Sequence, residues 1–179
     1  SGSNRILNLM NRKHSINEYF KIFDSLKELN SNIEFSSDFI IGYPGENKKD
    51  FNDTLNLIKK IKFINSYSFI FSPRPGTVAS NLNLIDKSIL MDRLEKIQNL
   101  LFENQIAMNK NLENKYINVL AENFTEDKTQ VFGRSEYMTS VIFNGNKSDI
   151  GKIVQVKIKH SNRSTLFGEK INDSNQKVA

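Results

Sequence analysis

Two apolar runs, SSDFIIGYPGE over residues 36–46 and YSFIFSPRPGT over residues 67–77, each end in a Pro/Gly loop that carries one charged side chain. A strand that stops at such a loop is where parallel α/β enzymes keep their cofactor contacts. In the first loop Gly42 and Gly45 remove side chains where backbone can approach a flat ligand, and Pro44 stiffens the turn. Glu46 then either accepts hydrogen bonds from a ligand amine or hydroxyl, or simply favours the positive end of the helix that follows. In the second loop Pro73 and Pro75 fix the backbone on both sides of Arg74, and Gly76 releases it. A guanidinium held in that way can clamp a carboxylate or phosphate through paired hydrogen bonds; the plainer alternative is a surface arginine in a tight turn. Asp38 is offset by one from Phe39 and so points to the opposite face of its strand. There it needs a partner or a polar cavity, because burying even a neutral polar group costs about 2–7 kcal/mol.

Two basic groups of residues could meet anions. Arg12, Lys13 and His14 stand just before a helix start, where the dipole suits a phosphate, although a solvated charge run fits equally. Further along, Arg134, Lys152, Lys157, Lys159, His160 and Arg163 alternate with Tyr137, Phe143 and Phe167. Cations for phosphates with aromatics for bases is the surface an OB-like barrel uses on RNA, while the same aromatics could fill a core.

The elements that must position these groups follow from periodicity. From Ser15 the spacing is helical, with Ser15 and Glu18 in a capping-box arrangement and Ile16, Tyr19, Phe20, Phe23, Leu26 and Leu29 on one face. Residues 33–42 predict a strand apolar enough to be covered on both faces. Asn47 and Asp50 open a second helix that buries Phe51, Leu55, Ile58 and Ile61, and residues 67–72 predict the next strand. Helix, strand, helix, strand with short links is the rhythm of a right-handed parallel α/β sheet. Asp86 caps a long helix to about Leu112, with Leu90, Leu94, Ile97, Leu101, Met108 and Leu112 at near-heptad spacing. From Lys115 the period changes to two, predicting short strands over 116–121, 131–134, 139–143, 153–158 and 165–167, which suit a small β-barrel.

Composition sets exclusions. The 179 residues, 38% hydrophobic, suffice for one ordinary domain or two small ones. No run is long enough to cross a bilayer and no signal peptide opens the chain, which places it in the cytoplasm by default. The absence of cysteine excludes disulfides, thiolate metal sites and thiol catalysis within this chain, and two histidines are too few for a metal cluster. Residues 1–114 carry 15 Lys/Arg against 13 Asp/Glu and residues 115–179 carry 10 against 7, so the C-terminal part is the more basic per residue. That excess is compatible with a polyanion but common on soluble surfaces.

Taken together, the strings SGSNRIL, MNRKHS, SSDFIIGYPGE, YSFIFSPRPGT, VFGRSEYMTSVIF and STLFGE resemble, in order and spacing, the C-terminal half of the radical-SAM methylthiotransferases of the MiaB type. The resemblance runs from Ser1 to about Ile171. NRKH and GRSEYM favour the branch acting on isopentenyladenosine in tRNA over relatives acting on threonylcarbamoyl adenosine or on a ribosomal protein. The fold class it implies is α/β: the later portion of a partial (β/α) radical-SAM barrel, with its connector helix, over residues 1–112, followed by an OB-like TRAM barrel over 113–172 and a polar tail over 173–179.

The resemblance also implies an activity: addition of a methylthio group to C2 of isopentenyladenosine beside the anticodon, with S-adenosylmethionine and two 4Fe-4S clusters as cofactors. By strand position, Ser1, Ser3, Asp38, Gly42, Glu46 and Arg74 fall on the S-adenosylmethionine side, and Arg134, Lys152, Lys157, Lys159 and Arg163 on the tRNA side. The implied partners are the tRNA anticodon arm and a sulfur donor system, for a full-length monomer. The family's CxxxCxxC loop and N-terminal cluster-binding domain would precede Ser1. SGS running directly into a polar residue and RIL matches the family, so Ser1 reads as native sequence, and this polypeptide alone is expected to be inactive. A stand-alone RNA-binding fragment is the reading from a different class.

Overall fold

The computed structural model describes residues 1–171, so the tail expected over 173–179 lies outside the described residues. The chain divides into two compact units, Ser1–Asn104 and Gln105 onward. The division falls inside one long helix, earlier than the Leu112 expected from the sequence.

The first unit opens with a short helix α1 (Asn4–Leu9) that the sequence pattern did not predict. Its N-cap is Ser3, whose Oγ accepts from the Ile6 N–H, and its apolar residues Ile6 and Leu7 are buried. Six residues are too few to display a helical period, which is why only the cap betrays it. Helix α2 (Ile16–Leu29) carries the expected capping box between Ser15 and Glu18. Its side chains Ile16, Tyr19, Phe20 and Phe23 pack partly buried on the core, but Leu29 is 83% exposed and leaves the predicted face. Strand β1 (Asp38–Ile41) is shorter than the 33–42 run and is buried on one face only, through Phe39 and Ile41. It pairs in parallel with β2 (Tyr67–Ile70), Asp38 opposite Tyr67 and Ile40 opposite Phe69. Tyr67 and Phe69 are exposed, so the expected cover on both faces is absent.

Between these strands runs α3 (Lys48–Ile61), begun by a reciprocal Asn47–Asp50 capping box and ended by Lys62 in the left-handed conformation (φ 59°). Phe51, Leu57, Ile58 and Ile61 fill the core with Phe39, Ile41 and Phe63, while Leu55 is only partly buried. A short 3-10 turn (Val78–Asn81) precedes α4 (Lys87–Leu112), at whose start Asp86 accepts from the Ser88 N–H at 2.8 Å. Ile97 and Leu101 of α4 belong to the first core, and Met108 and Leu112 to the second. The near-heptad pattern of this helix thus serves two different cores in turn.

The second unit is a closed five-stranded barrel in the order β3-β4-β5-β7-β6, with β3 (Tyr116–Phe124), β4 (Val131–Ser135), β5 (Ser140–Asn144), β6 (Ile153–Ser161) and β7 (Thr165–Lys170). Only β5 and β7 pair in parallel. Alternation places Val119, Val131, Val141, Phe143, Val156 and Leu166 inside, all fully buried. Bulges at Ala121/Asn123 and Ile158/His160 let two long strands bend enough to close the ring. The buried Asn109 of α4 donates from Nδ2 to the Asn162 and Arg163 carbonyls at 2.9 and 3.1 Å, tying the helix end to the β6–β7 turn.

Barrel closure presses strands together most tightly at Gly133, where an added Cβ would stand 2.3 Å from the Leu120 carbonyl oxygen and 2.8 Å from Val119 Cγ1. The backbone atom cannot swing aside as a side chain could. Gly133→Ala is therefore expected to destabilise the barrel by roughly 1–3 kcal/mol, read as a lower urea midpoint with an unchanged slope.

Candidate functional site

Gly42 follows β1 with φ +71°, a conformation that strains any side chain, and Leu90 Cδ2 packs 1.9 Å from where a Cβ would stand, so a side chain there would also displace Leu90. The turn closes when Glu46 N–H donates to the Tyr43 carbonyl at 2.8 Å. Tyr43 is held in turn by Phe71, edge-on at 5.1 Å between centroids, and by its hydroxyl donating to the Leu9 carbonyl.

Glu46 is buried, and its carboxylate accepts from Arg93 Nη1 of α4 at 2.6 Å and from Gly42 N–H at 3.3 Å. Arg93 also donates to the Glu46 carbonyl at 3.2 Å and lies over the Phe51 ring at 5.3 Å. Burial pushes the Glu46 carboxyl above its ordinary value, and the Arg93 cation opposes that rise. Neither sequence reading of Glu46, ligand acceptor or helix-end charge, named this partner, because nothing in local spacing couples positions 46 and 93. The side chain now clamps the loop to α4.

A second buried carboxylate organises the segment 1–5. Asp50 accepts from Ser3 Oγ at 2.6 Å, from Asn47 N–H at 2.9 Å and from Arg5, with which it forms an ion pair. Burial alone would raise its pKa, but these donors outweigh it and hold the carboxyl at about 2, below an ordinary 3.8. Gly2 N–H donates to Thr54 Oγ1 at 2.9 Å, and Ser1 Oγ lies 3.5 Å from the same hydroxyl. The hydroxyl of Ser3 is thus spent on α3.

Asp38 is exposed, and with Ser1, Arg12, His14, Tyr19 and Ile40 it lines a cavity of about 230 Å³. The structure therefore brings Ser1 and Asp38 to one concavity and adds a cation and an imidazole from the basic run. The start of α2 is already capped by Ser15 and Glu18, so the phosphate reading of residues 12–14 loses the amides it would have used. Arg74 stands apart on an exposed loop, where its carbonyl accepts from Thr77 Oγ1 at 2.8 Å and its side chain meets solvent. Among the described residues no three His, Cys, Asp or Glu side chains converge on a metal position, and the chain has no cysteine, so it holds no ligand set for an iron-sulfur cluster.

On the barrel, Arg134 pairs with Glu122 at 3.3 Å and lies 5.7 Å from the Phe132 ring. Lys159 pairs with Glu169 at 2.8 Å, and Lys157 sits over Tyr116 at 5.5 Å. These exposed pairs are worth about 0–1 kcal/mol, so a phosphate can displace them. Lys152 and Arg163 are exposed near the barrel turns. Phe143 is fully buried in the barrel core, so it is unavailable to a base, and Tyr137 packs partly against the same core. Phe167 is outside, stacked on His160 at 4.6 Å and 6°. Phe132 and Tyr116 were missed from sequence because only the register shows that they face outward beside the cations.

A parallel strand pair with loops of this kind, followed by a basic closed barrel, defines a two-module protein. Residues 1–58 match the Radical SAM superfamily and residues 110–171 match the TRAM domain. The chain is 62% identical over 179 residues, all of its length, to the tRNA-2-methylthio-N(6)-dimethylallyladenosine synthase of Pelagibacter ubique, covering 40% of that protein. It is 40% and 44% identical over 171 residues to the synthases of the same name from Wolbachia pipientis and Rickettsia akari, with 94% of the chain and 39% and 38% of those proteins covered. The chain is thus similar along its length to one part of these synthases, and it spans about two fifths of the length of the curated relatives it matches.

Removing Arg93 leaves Glu46 as a buried, unpaired carboxylate. Arg93→Ala is expected to cost about 3–5 kcal/mol near neutral pH by urea unfolding, and the pair Glu46→Gln/Arg93→Met to recover most of it. A carboxyl whose folded pKa is raised loses stability as pH rises, so the Arg93→Ala deficit shrinks toward pH 4.5, the ordinary glutamate value. Asp50 has the opposite sign: its depressed pKa contributes about 2 kcal/mol above pH 3.8, lost as pH falls toward about 2. Unfolding curves of wild type and Asp50→Asn should differ by that amount near neutrality and converge in acid.

Proposed function

We propose that this chain is the C-terminal portion of a tRNA methylthiotransferase that adds a methylthio group to C2 of isopentenyladenosine next to the anticodon, by radical S-adenosylmethionine chemistry. The observation that carries the reading is the 62% identity along all 179 residues to a protein named tRNA-2-methylthio-N(6)-dimethylallyladenosine synthase. The first unit supplies the wall facing S-adenosylmethionine. Ser1 and Asp38 share a polar cavity, Gly42 leaves its strand end without a side chain, and Glu46 and Ser3 hold the loop and the entering segment in place. Arg74, on its proline-fixed loop, is free of that wall and suits an anionic group of substrate. S-adenosylmethionine would supply the radical and the methyl group. The iron-sulfur clusters find no ligands in this chain, so their cysteines belong to sequence that this chain does not contain, and the protein works in the cytoplasm with a sulfur donor.

The barrel grips the anticodon arm through Arg134, Lys152, Lys157, Lys159 and Arg163. An alternative reading, a stand-alone RNA-binding fragment, shares that grip but needs no first-unit cavity, and the Ser1–Asp38 concavity favours the enzyme. The test joins the segment of the Pelagibacter synthase that precedes the matched region to Ser1 of this chain. After iron and sulfide reconstitution, tRNA carrying isopentenyladenosine is digested and its nucleosides weighed. The chimera should yield the methylthio adduct and the chain alone none. A chimera with loaded clusters and no adduct would sink the reading.

A further inference from the structure

The outside of the barrel carries a row of apolar and aromatic side chains that the tRNA grip has not used. Phe132 of β4 stands opposite Ile142 of β5, Ile142 opposite Phe167 of β7, and Phe167 opposite His160 of β6. The four form one transverse stripe, crossing about 14 Å at the roughly 4.8 Å strand spacing. None is buried, whereas their neighbours Val131, Val141 and Leu166 point inward and are fully buried. Outward positions of a closed barrel ordinarily go to polar residues, so an in-register stripe of this kind marks a contact surface.

Its geometry favours flat rings over an aliphatic anchor. His160 and Phe167 lie face to face, 4.6 Å apart and 6° from parallel, so a third planar ring can extend the stack. Cations stand at both ends: the Arg134 guanidinium 5.7 Å from the Phe132 ring, and Lys159 beside His160. From Gln105 to Ile171 the unit has ten Lys and Arg against seven Asp and Glu, a net +3 that suits a polyanion. We propose that Phe132, Ile142, Phe167 and His160 form a stacking ledge for unpaired RNA bases, with Arg134 and Lys159 taking the phosphates on either side. The inference rests on the RNA reading of the barrel and deepens it: the barrel prefers unpaired nucleotides over duplex.

Fluorescence anisotropy of the whole chain with a labelled oligoadenylate and with a labelled RNA duplex tests this. Wild type should bind the single strand more tightly. Phe167→Leu keeps apolar bulk without the ring and should weaken single-strand binding by roughly tenfold while leaving duplex binding unchanged. Phe167→Trp should restore it. The paired charge removal Lys157→Ser/Lys159→Ser should weaken both RNAs and flatten the salt dependence. If Phe167→Leu binds like wild type while the lysine variant loses affinity, the ledge is overturned and the RNA grip stands. If wild type binds neither RNA, both fall. If Phe167→Leu leaves RNA binding intact but abolishes self-association of the chain in sedimentation, the stripe is a protein contact and the ledge is again overturned. A matching melting temperature for Phe167→Leu and Phe167→Trp excludes unfolding as the cause of any loss.

Discussion

Two carboxylates four positions apart, Glu46 and Asp50, lie buried where a strand hands over to a helix, and the first unit is arranged around satisfying them. A charge removed from water needs a close partner and further hydrogen bonds, or the fold loses several kcal/mol. Each carboxylate draws its partner from a different part of the chain: Glu46 from Arg93 on α4, Asp50 from Ser3 and Arg5 at the entry to α1. The two demands together fix the long helix, the entering segment and the strand-end loop against α3. The conformation of the loop is thereby set from outside itself. Gly42 contributes by leaving room for Leu90 in a backbone shape that a side chain would strain.

The barrel solves a different problem with different means. Five strands form a sheet whose edges closure removes, and glycine and bulges absorb the curvature. Inward aliphatic side chains supply the stability, which leaves the outside free for chemistry. There the weak exposed pairs of Arg134 with Glu122 and Lys159 with Glu169 keep cations at the surface in exchangeable form.

Much of this was legible in the chain. The capping boxes at Ser15 and Asn47, the long helix from Asp86, and the change of period at Lys115 are local signals, and local signals survive into the fold because they concern residues already adjacent. The ordered strings carried the resemblance because their sequence and spacing are improbable together. Less legible were α1, too short to show a period, and the strand at 33–42, whose apolar run ended up with one covered face and a shorter ladder. Leu29 fits the helical stripe yet is exposed, since a stripe says which side can be buried and not how far the neighbouring core extends.

The sequence by itself determined the element types, the two-module order, the resemblance to the synthases and the absence of any iron-binding thiol, because these depend on residue identity, spacing and composition. Tertiary structure alone decided what the charged and aromatic side chains do. Glu46 meets Arg93 across 47 positions, Ser3 meets Asp50, Phe143 enters the core while Phe167 stays outside, and Phe132 joins His160 in one row. Partners distant in sequence are set by packing and by strand register, and a one-residue slip in register would turn each of those barrel aromatics to the other side.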